Sequence, residues 1–577
     1  MDTATLSGIA RKAALENAIK HKGKASQGAV IGSCIQQYPQ AKEDMKTTAK
    51  EIAVIIKEIN SLSLEEQEQA LLALDPQYYE KEQEKKAERK AARQELPELE
   101  GATQGQVITR MCPEPSKYNH LGHALNFLIN YLYAQKYEGQ CVLRFEDTNP
   151  EKEEQEFVEA MQSDVLEYLD IKPDKILFVS DNMPRYYDAC EDLINRGLAY
   201  TDTTKPEEMS KQRREMQESS CRNKDKETVM QEWKKMLSGE QAEGTMTLRL
   251  KIDMEHKNAV MRDPVIMRIM HAKHYRQGEQ YKVWPMYDFE NALEDSWNEV
   301  THVMRSNEFE TRIELQNHIK ELFNLEKQYV RQYGRFNIVG ATTQGREIRE
   351  LIEKGEVIGW DDPRLVTLRA LKRRGIVKEA FYELVKQAGM SKNPTNIGFE
   401  VLAAINRNLL DEQANRYFFV KEPIKITIEN WPEDLQEAEL KLHPHKNRGG
   451  RKFTLSNEYY ISKKDYDEII KGKVFRFIDT INLQYKDGHF VVHSKTMDEF
   501  KQVPAQEKYG LIHFLPAQEE LVTTKIFMPD ATYEEGLAEP TIKQLREGAH
   551  IQFERHCFAR LDNIESDGSF VFWHTHE

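Results

Sequence analysis

Residues 106–145 constrain the fold more than any other part of this 577-residue chain. Residues 106–111 are a short extended run that reaches Arg110, and residues 112–123 hold the proline, serine and glycine of a turn. Residues 124–137 contain neither glycine nor proline. They carry Leu125, Leu128, Ile129 and Leu132 at the i, i+3, i+4, i+7 spacing of a buried helical face. Residues 141–145 are apolar again. Strand, turn, helix and strand at this length predict a βαβ unit with a right-handed crossover, and so a parallel sheet.

Inside the turn lies His120-Leu-Gly-His123, at the N-terminal end of the predicted helix. Backbone N–H groups without partners and the positive end of the helix dipole attract phosphate there. Two imidazoles three residues apart can donate hydrogen bonds to a polyphosphate, and Gly122 lets a nucleotide come close to the backbone. Taken alone, these four residues also fit a turn with incidental histidines.

Other features narrow the class. Charged residues make up 31% of the chain and hydrophobic ones 39%, and no apolar run approaches membrane-spanning length. The start, Met1-Asp-Thr-Ala-Thr-Leu6, lacks a basic segment followed by an apolar core, so no secretory leader is expected. Cys34, Cys112, Cys141, Cys190, Cys221 and Cys557 are scattered with no C-x-x-C pair. That pattern suits free thiols in a reducing cytoplasm and offers no zinc spacing, so no protein-held metal is expected. A net charge of −15 argues against a general nucleic-acid coat. A nucleic-acid partner would have to be held by local basic patches.

Taken in order, the chain divides as follows. Residues 1–100 read as a helical N-terminal extension ending in a charged tether, 82–95. In it residues 45–62 place Ile52, Ile55, Ile56, Ile59 and Leu62 on one helical face, and Ser63-Leu-Glu-Glu66 is a capping box. Binding another protein and simple packing are equally consistent with this extension. Residues 101–200 alternate strands and helices like the first half of a doubly wound nucleotide fold. Residues 201–263 break that rhythm as an insertion, which in an α/β sheet usually carries function. Residues 264–334 return to it, and 335–422 read as helical, with Arg369, Lys372, Arg373 and Arg374 as a basic run. Residues 423–577 hold short alternating strands broken by Asp487-Gly488 and Asp567-Gly568, a density that suggests β-barrels. In the first of these, His443, His445 and residues 448–452 read as a surface turn or RNA contact rather than a metal site.

Three segments carry a resemblance. Arg110-Met-Cys-Pro-Glu-Pro-Ser116, His120-Leu-Gly-His123-Ala124 and Leu143-Arg-Phe-Glu-Asp-Thr-Asn-Pro150 resemble the nucleotide-binding signature of class I glutamyl- and glutaminyl-tRNA synthetases. The likeness recurs along nearly the whole chain. Tyr509-Gly-Leu-Ile-His-Phe-Leu-Pro516 and Glu547-Gly-Ala-His-Ile-Gln-Phe-Glu-Arg555 resemble the paired anticodon-binding barrels of archaeal glutamyl and of glutaminyl enzymes, where bacterial glutamyl enzymes use a helical cage, so the resemblance is to the archaeal type. The resemblance implies a multidomain α/β, α and β fold. A Rossmann-type catalytic domain would carry an insertion that binds the acceptor end of tRNA, a helical region contacting the stem, and two C-terminal anticodon-binding β-barrels.

It also implies a chemistry. Glutamate and ATP would form glutamyl-adenylate, with Mg2+ bridging the ATP phosphates, and the glutamyl group would pass to tRNA(Glu). The sequence does not choose between tRNA(Glu) alone and tRNA(Glu) plus tRNA(Gln). Pro113, Ser116, His120, Gly122 and His123 would serve ATP, with His120 and His123 catalytic. Arg110, Glu146, Tyr287, Asn291 and Arg305 would hold glutamate, Glu146 on its ammonium. Arg305 would decide for glutamate over glutamine, because a guanidinium pairs with a side-chain carboxylate and not with a neutral amide.

Two segments depart from the family pattern. Lys117 stands where the family has a glycine, in Pro113-Glu-Pro-Ser-Lys117-Tyr-Asn-His120. The loop expected to close over the triphosphate reads Gly340-Ala-Thr-Thr-Gln-Gly-Arg-Glu-Ile348, without lysine. Arg346 is then the expected catalytic and ATP-binding cation of the loop, with Arg349 and Lys117 as further sources of charge. The departures motivate two other readings: a catalytically weakened paralogue that binds tRNA or regulates, and a glutamate-activating ligase with an acceptor other than tRNA.

Overall fold

A computed structural model of the chain describes residues 3–42, 44–79, 81 and 96–577. The charged tether expected at 82–95 lies outside the described residues. The chain falls into two compact units, Met1–Glu95 and Leu96–Glu577, a division slightly before the boundary expected at residue 100.

The first unit contains helices α1 (Thr3–Lys20), α2 (Gln27–Gln37), α3 (Met45–Ile59) and α4 (Leu64–Leu74). The isoleucine stripe does what its spacing implies: α3 buries Ile52, Ile55, Ile56 and Ile59. Ser63 and Glu66 form the expected capping box, each side chain accepting the other's backbone N–H, and α4 starts there. These helices enclose their own core, which includes Leu6, Ala14, Val30 and Leu71.

The second unit is organised by a parallel layer. β1 (Ile108–Met111), β2 (Gln140–Phe145) and β3 (Lys175–Phe178) pair in parallel, Arg110 beside Val142 and Phe145 beside Phe178. The chain then leaves the layer. β4 (Ala199–Asp202), β5 (Thr247–Leu250), β6 (Val265–Ile269) and β7 (Val283–Pro285) form one antiparallel sheet in sequence order. This corrects the boundary at 263. Residues 265–269 are a strand, as their composition indicates, but β6 bonds back to β5 rather than to the parallel layer. The insertion sheet therefore runs to Pro285.

The chain rejoins the layer through the helix Tyr287–Trp297 and strands β8 (His302–Ser306) and β9 (Tyr329–Tyr333), which pair in parallel. Thr301 N–H donates to the Ile108 carbonyl at 3.0 Å, and Ile108 N–H donates to Thr301 Oγ1 at 2.8 Å. These bonds set β8 against β1. The β8–β9 pair is a separate sheet set beside the β1–β2–β3 sheet, and at the β1/β8 junction, where the sequence order of the strands reverses, a crevice opens at their carboxyl ends.

The region expected to be helical at 335–422 is interrupted by β10 (Phe336–Val339) and β11 (Thr395–Gly398), a parallel pair. Each has four residues, too few to display a period, and each is held by a partner distant in sequence. The helices Gly345–Glu353, Leu368–Arg373, Lys378–Ala388 and Phe399–Gln413 account for much of the remainder. Half of the basic run is used inside the fold. Arg373 pairs with Asp361 and Asp562, while buried Arg374 donates to the carbonyls of Pro363 and Thr575.

Beyond Gln413 there are two seven-stranded sheets. One uses strands between Pro423 and Pro516. The other takes the short strands Asn415–Tyr417 and Phe419–Lys421, then those from Val522 to His576. The β region thus begins before residue 423, because the chain lays two strands on the second sheet before building the first. Asp487 and Gly488, at φ of 53° and 89°, close the expected two-residue hairpin. His443 is buried rather than at the surface. Its Nε2 faces the Asp411 carbonyl at 2.9 Å, and its Nδ1 accepts the N–H groups of His445 and Lys446, so it pins the turn. Among the described residues no helix is long and apolar enough to cross a membrane, and no cluster of His, Cys, Asp and Glu could hold a metal ion.

Candidate active site

A cavity of about 420 Å³ lies at the crevice between β1 and β8. Its walls include Arg110 in β1 and Cys112 just after it, Arg305 and Ser306 at the end of β8, Tyr333 ending β9, and Lys117, His120, Gly122 and His123. Glu146, just past β2, and Tyr287, opening its helix, complete the amino-acid side, and Thr343 and Gln344 border the other. Sequentially distant segments meet here because strand ends and helix starts converge on one edge of a parallel layer.

The helix behind the histidines runs Leu121–Lys136 with His120 as its N-cap, so Gly122 and His123 belong to its first turn rather than to the preceding loop. His120 Nδ1 accepts the Gly122 N–H at 3.1 Å, and His123 Nδ1 accepts the His120 N–H at 3.2 Å. The rings stack with centroids 3.9 Å apart. With each Nδ1 accepting, the proton of each neutral ring sits on Nε2. Burial, then the neighbouring His123 and Lys117, pushes His120 well below the usual histidine range, and burial with Lys117 holds His123 at about 3. The pair therefore offers neutral N–H donors at a helix N-terminus, not positive charge.

The charges lie on the other wall. Arg110 is 4% exposed, and its Nε donates to Asp295 Oδ1 at 3.1 Å. The same oxygen accepts from Arg144 at 2.9 Å, and Arg144 also reaches Glu146 Oε1 at 3.0 Å. Burial pushes the Asp295 carboxyl up, but the guanidinium groups of Arg110 and Arg144 outweigh it and hold it at about 2. Arg305 is 5% exposed and has a different setting. Its Nη2 donates to Gln316 Oε1 at 2.8 Å, the Phe309 ring lies 5.4 Å from its guanidinium carbon, and its buried Nε and Nη1 have no hydrogen-bond partner. Buried donors of this kind are costly unless a ligand meets them.

Of the residues singled out in the sequence, Arg110, His120, Gly122, His123, Glu146, Tyr287 and Arg305 share the cavity wall. Asn291 does not reach it. Buried to 1% exposure, it donates to Glu146 Oε1 at 3.1 Å and so fixes the carboxylate that does. Pro113 and Ser116 frame the site with backbone: the Pro113 carbonyl accepts the Glu146 N–H at 3.0 Å, and the Ser116 carbonyl accepts from Arg349 at 2.6 Å. Arg346, expected as the loop's cation, is not brought to the cavity. Its side chain is 90% exposed and pairs with Glu350 one helical turn on. The helix beginning at Gly345 turns position 346 outward.

Sequence reasoning missed Gln316, Asp295, Arg144 and Phe309 as site components. Arg144 alone had a local signal, standing in β2 two residues before Glu146, the spacing that puts extended residues on one side. Gln316 and Phe309 meet Arg305 only through the turn and helix after β8.

Comparison with known proteins matches this architecture. Residues 106–412 match the model of tRNA synthetases class I (E and Q), catalytic domain, and residues 414–500 and 502–562 match two anti-codon binding domain models of the same group. The chain is 38% identical over 569 residues to the glutamate–tRNA ligase of Pyrococcus furiosus, spanning 97% of this chain and 98% of that one. It is 38% identical over 572 residues to the corresponding ligase of Pyrococcus abyssi, with coverage of 97% and 98%. With that of Methanothermobacter thermautotrophicus it shares 35% identity over 565 residues and 98% of each chain.

Proposed function

The chain belongs to the class I tRNA synthetases of the glutamate and glutamine group, and from that premise we propose that it joins L-glutamate to tRNA through a glutamyl-adenylate. The carrying observation is Arg305. A buried guanidinium with two unpartnered N–H donors shares a cavity with a histidine-capped helix N-terminus.

The reaction has two steps. An oxygen of the glutamate α-carboxylate attacks the α-phosphorus of ATP, the bond to the departing pyrophosphate breaks, and glutamyl-adenylate forms. The terminal ribose hydroxyl of tRNA then attacks the acyl carbon and AMP leaves. Such displacement depends on positioning and charge neutralisation. The Nε2–H groups of His120 and His123, at the positive end of the helix dipole, seat the phosphates, and Gly122 keeps that approach open. Mg2+ would come with the nucleotide rather than with a protein ligand set, and would supply charge neutralisation at the phosphates. Arg305 takes the side-chain carboxylate, Arg110 supplies a fixed positive charge beside it, and Tyr287 closes that wall. Glu146, steadied by Arg144 and Asn291, faces the ammonium.

Glutamine would present its amide to donors that need an acceptor of opposite charge, a loss on the order of several kcal/mol. The acceptor end of tRNA is assigned to the β4–β7 insertion, its inner face to the Arg369 and Lys372 surface, and its anticodon to the two C-terminal sheets, read as barrels. Residues from both of these sheets and their connections, among them Tyr509 and Asp465 beside the first sheet and Phe419, Arg555 and His574 of the second, line a cleft of about 400 Å³ that suits an RNA base. Six free cysteines suit a cytoplasmic setting. The N-terminal helices gain a core of their own and no added support for a protein partner.

The test is aminoacylation of separate tRNA(Glu) and tRNA(Gln) transcripts with glutamate and with glutamine, together with pyrophosphate exchange in the presence of tRNA. Glutamate-dependent exchange and charging of tRNA(Glu) are expected. Normal tRNA binding without exchange would replace this reading with the weakened paralogue. Exchange with no tRNA charged would point to another acceptor, an outcome the two anticodon-domain matches make less favoured.

A further inference from the structure

A triphosphate is strongly anionic, and displacement at its α-phosphorus needs positive charge near the departing oxygens. The two histidines do not supply it, since both are held neutral by burial. Arg110 is paired with Asp295 at 3.1 Å and Arg335 with Glu308 at 2.8 Å. Arg305 faces the amino acid. The bordering segment Val339-Gly-Ala-Thr-Thr-Gln-Gly345 carries no cation, and Arg346 beyond it stands in solvent.

Lys117 is placed differently. It lines the cavity beside His120 and His123, and its amine lies 3.5 Å from the Thr343 carbonyl, a weak tether. Among the described residues its amine has no carboxylate in hydrogen-bond contact. Glu114 acts on it only through space, and Arg349 opposes it. The stem is seated by a glycine. A Cβ built at Gly345 would lie 3.0 Å from Lys117 Cδ and 3.2 Å from Lys117 Cβ. A side chain at 345 would press directly on the lysine.

We propose that Lys117 is a substrate-contacting cation of the nucleotide site, its amine donating to the phosphates of ATP, and that Gly345, by lacking a side chain, seats it there. The inference rests on reading the cavity as an ATP site. It gives the first signature segment a charge that the 339–345 segment does not hold, and explains how a bulky residue before His120 serves the pocket rather than blocking it. Burial lowers the proton affinity of the amine, so an arriving anion meets a poorly solvated cation, the setting in which a charge-assisted bond is strongest.

The experiment compares the full chain with Lys117→Met, which keeps the stem, Lys117→Arg, which keeps the charge, and Gly345→Ala. Equilibrium binding of adenosine, AMP, ADP and ATP is measured, then tRNA-dependent pyrophosphate exchange. Lys117→Met should weaken ATP by about tenfold and AMP by less than about twofold, and lower the exchange kcat by about 100-fold with the glutamate KM unchanged. Lys117→Arg should recover most of the rate, and Gly345→Ala should fall between them.

Equal losses for adenosine and ATP, or none, would overturn the proposal, because a structural role does not count phosphates. If Lys117→Met melts early, Lys117→Gln is read by the same binding series. A wild-type chain that binds ATP in this lysine-dependent way yet activates no glutamate would sink the synthetase reading and leave Lys117 standing.

Discussion

Arg110 and Arg305 lie near the ends of the adjacent strands β1 and β8, are buried to nearly the same degree and face one cavity, yet the fold treats them in opposite ways. Arg110 shares a carboxylate oxygen of Asp295 with Arg144, so its charge is balanced before any substrate arrives. Arg305 is steadied by a neutral amide and an aromatic ring, with two buried donors left over. A balanced cation shapes the field and holds the wall together. An unbalanced one, buried at a cost, is an instrument of recognition, since only a substrate carboxylate completes it.

The largest expected effect removes that recognition. Arg305→Ala should lower kcat/KM for glutamate on the order of a thousandfold, about 4 kcal/mol of transition-state stabilisation. Discrimination against glutamine should shrink with it. Pyrophosphate exchange with both amino acids checks this, and an unchanged glutamate preference would remove Arg305 from the recognition role. Next comes a contrast in stability. Arg110→Met leaves Asp295 short of one partner and should cost about 3 kcal/mol in denaturant unfolding, whereas Arg305→Met replaces unpaired donors with apolar atoms and should cost nothing or stabilise slightly. Equal losses would mean that the two arginines do the same job.

A smaller effect sharpens the division between guanidinium charge and imidazole donation. His123 is held at about 3 by burial and then by Lys117, below the ordinary histidine value. A depressed histidine means that the unfolded chain binds the proton first, so stability is full above pH 6.5 and declines as pH falls toward 3. Between pH 7 and pH 5 the wild type should lose about 2 kcal/mol relative to His123→Gln. Parallel stability curves for the two proteins would show that His123 is charged in the fold, and the cavity's electrostatics would need redrawing.

Much of this was legible in the sequence for a local reason. The βαβ unit, the α3 stripe and the Ser63–Glu66 box are written within one or two turns of chain, where period and capping chemistry act directly. What escaped was non-local. Residues 265–269 announce a strand but not a partner, so the insertion was ended too early. The brief β10–β11 pair cannot be seen without both halves. Arg305 was identifiable only through the family resemblance, and its setting depends on Gln316 across a turn and on Asp295 choosing Arg110 instead. Lys117 and Arg346 show the same limit. The sequence offered three candidate cations near the nucleotide: Arg349 is used on the Ser116 carbonyl, and the helix start at Gly345 separates Lys117, facing the cavity, from Arg346, facing solvent.

That separation yields the smallest predicted effect. Arg346 is 90% exposed and tied to Glu350 by an i,i+4 pair, an arrangement that contributes only about 0.3–0.5 kcal/mol on a helix surface. Arg346→Ala should therefore change adenylation by less than about twofold and melting temperature by about a degree. The informative comparison is with Lys117→Met in the same assay. If Arg346→Ala instead slows exchange as strongly as the lysine change, the 340–348 segment must swing inward when ATP binds. Charge on the phosphates would then come from the loop, and Gly345 would act as its hinge rather than as a seat for Lys117.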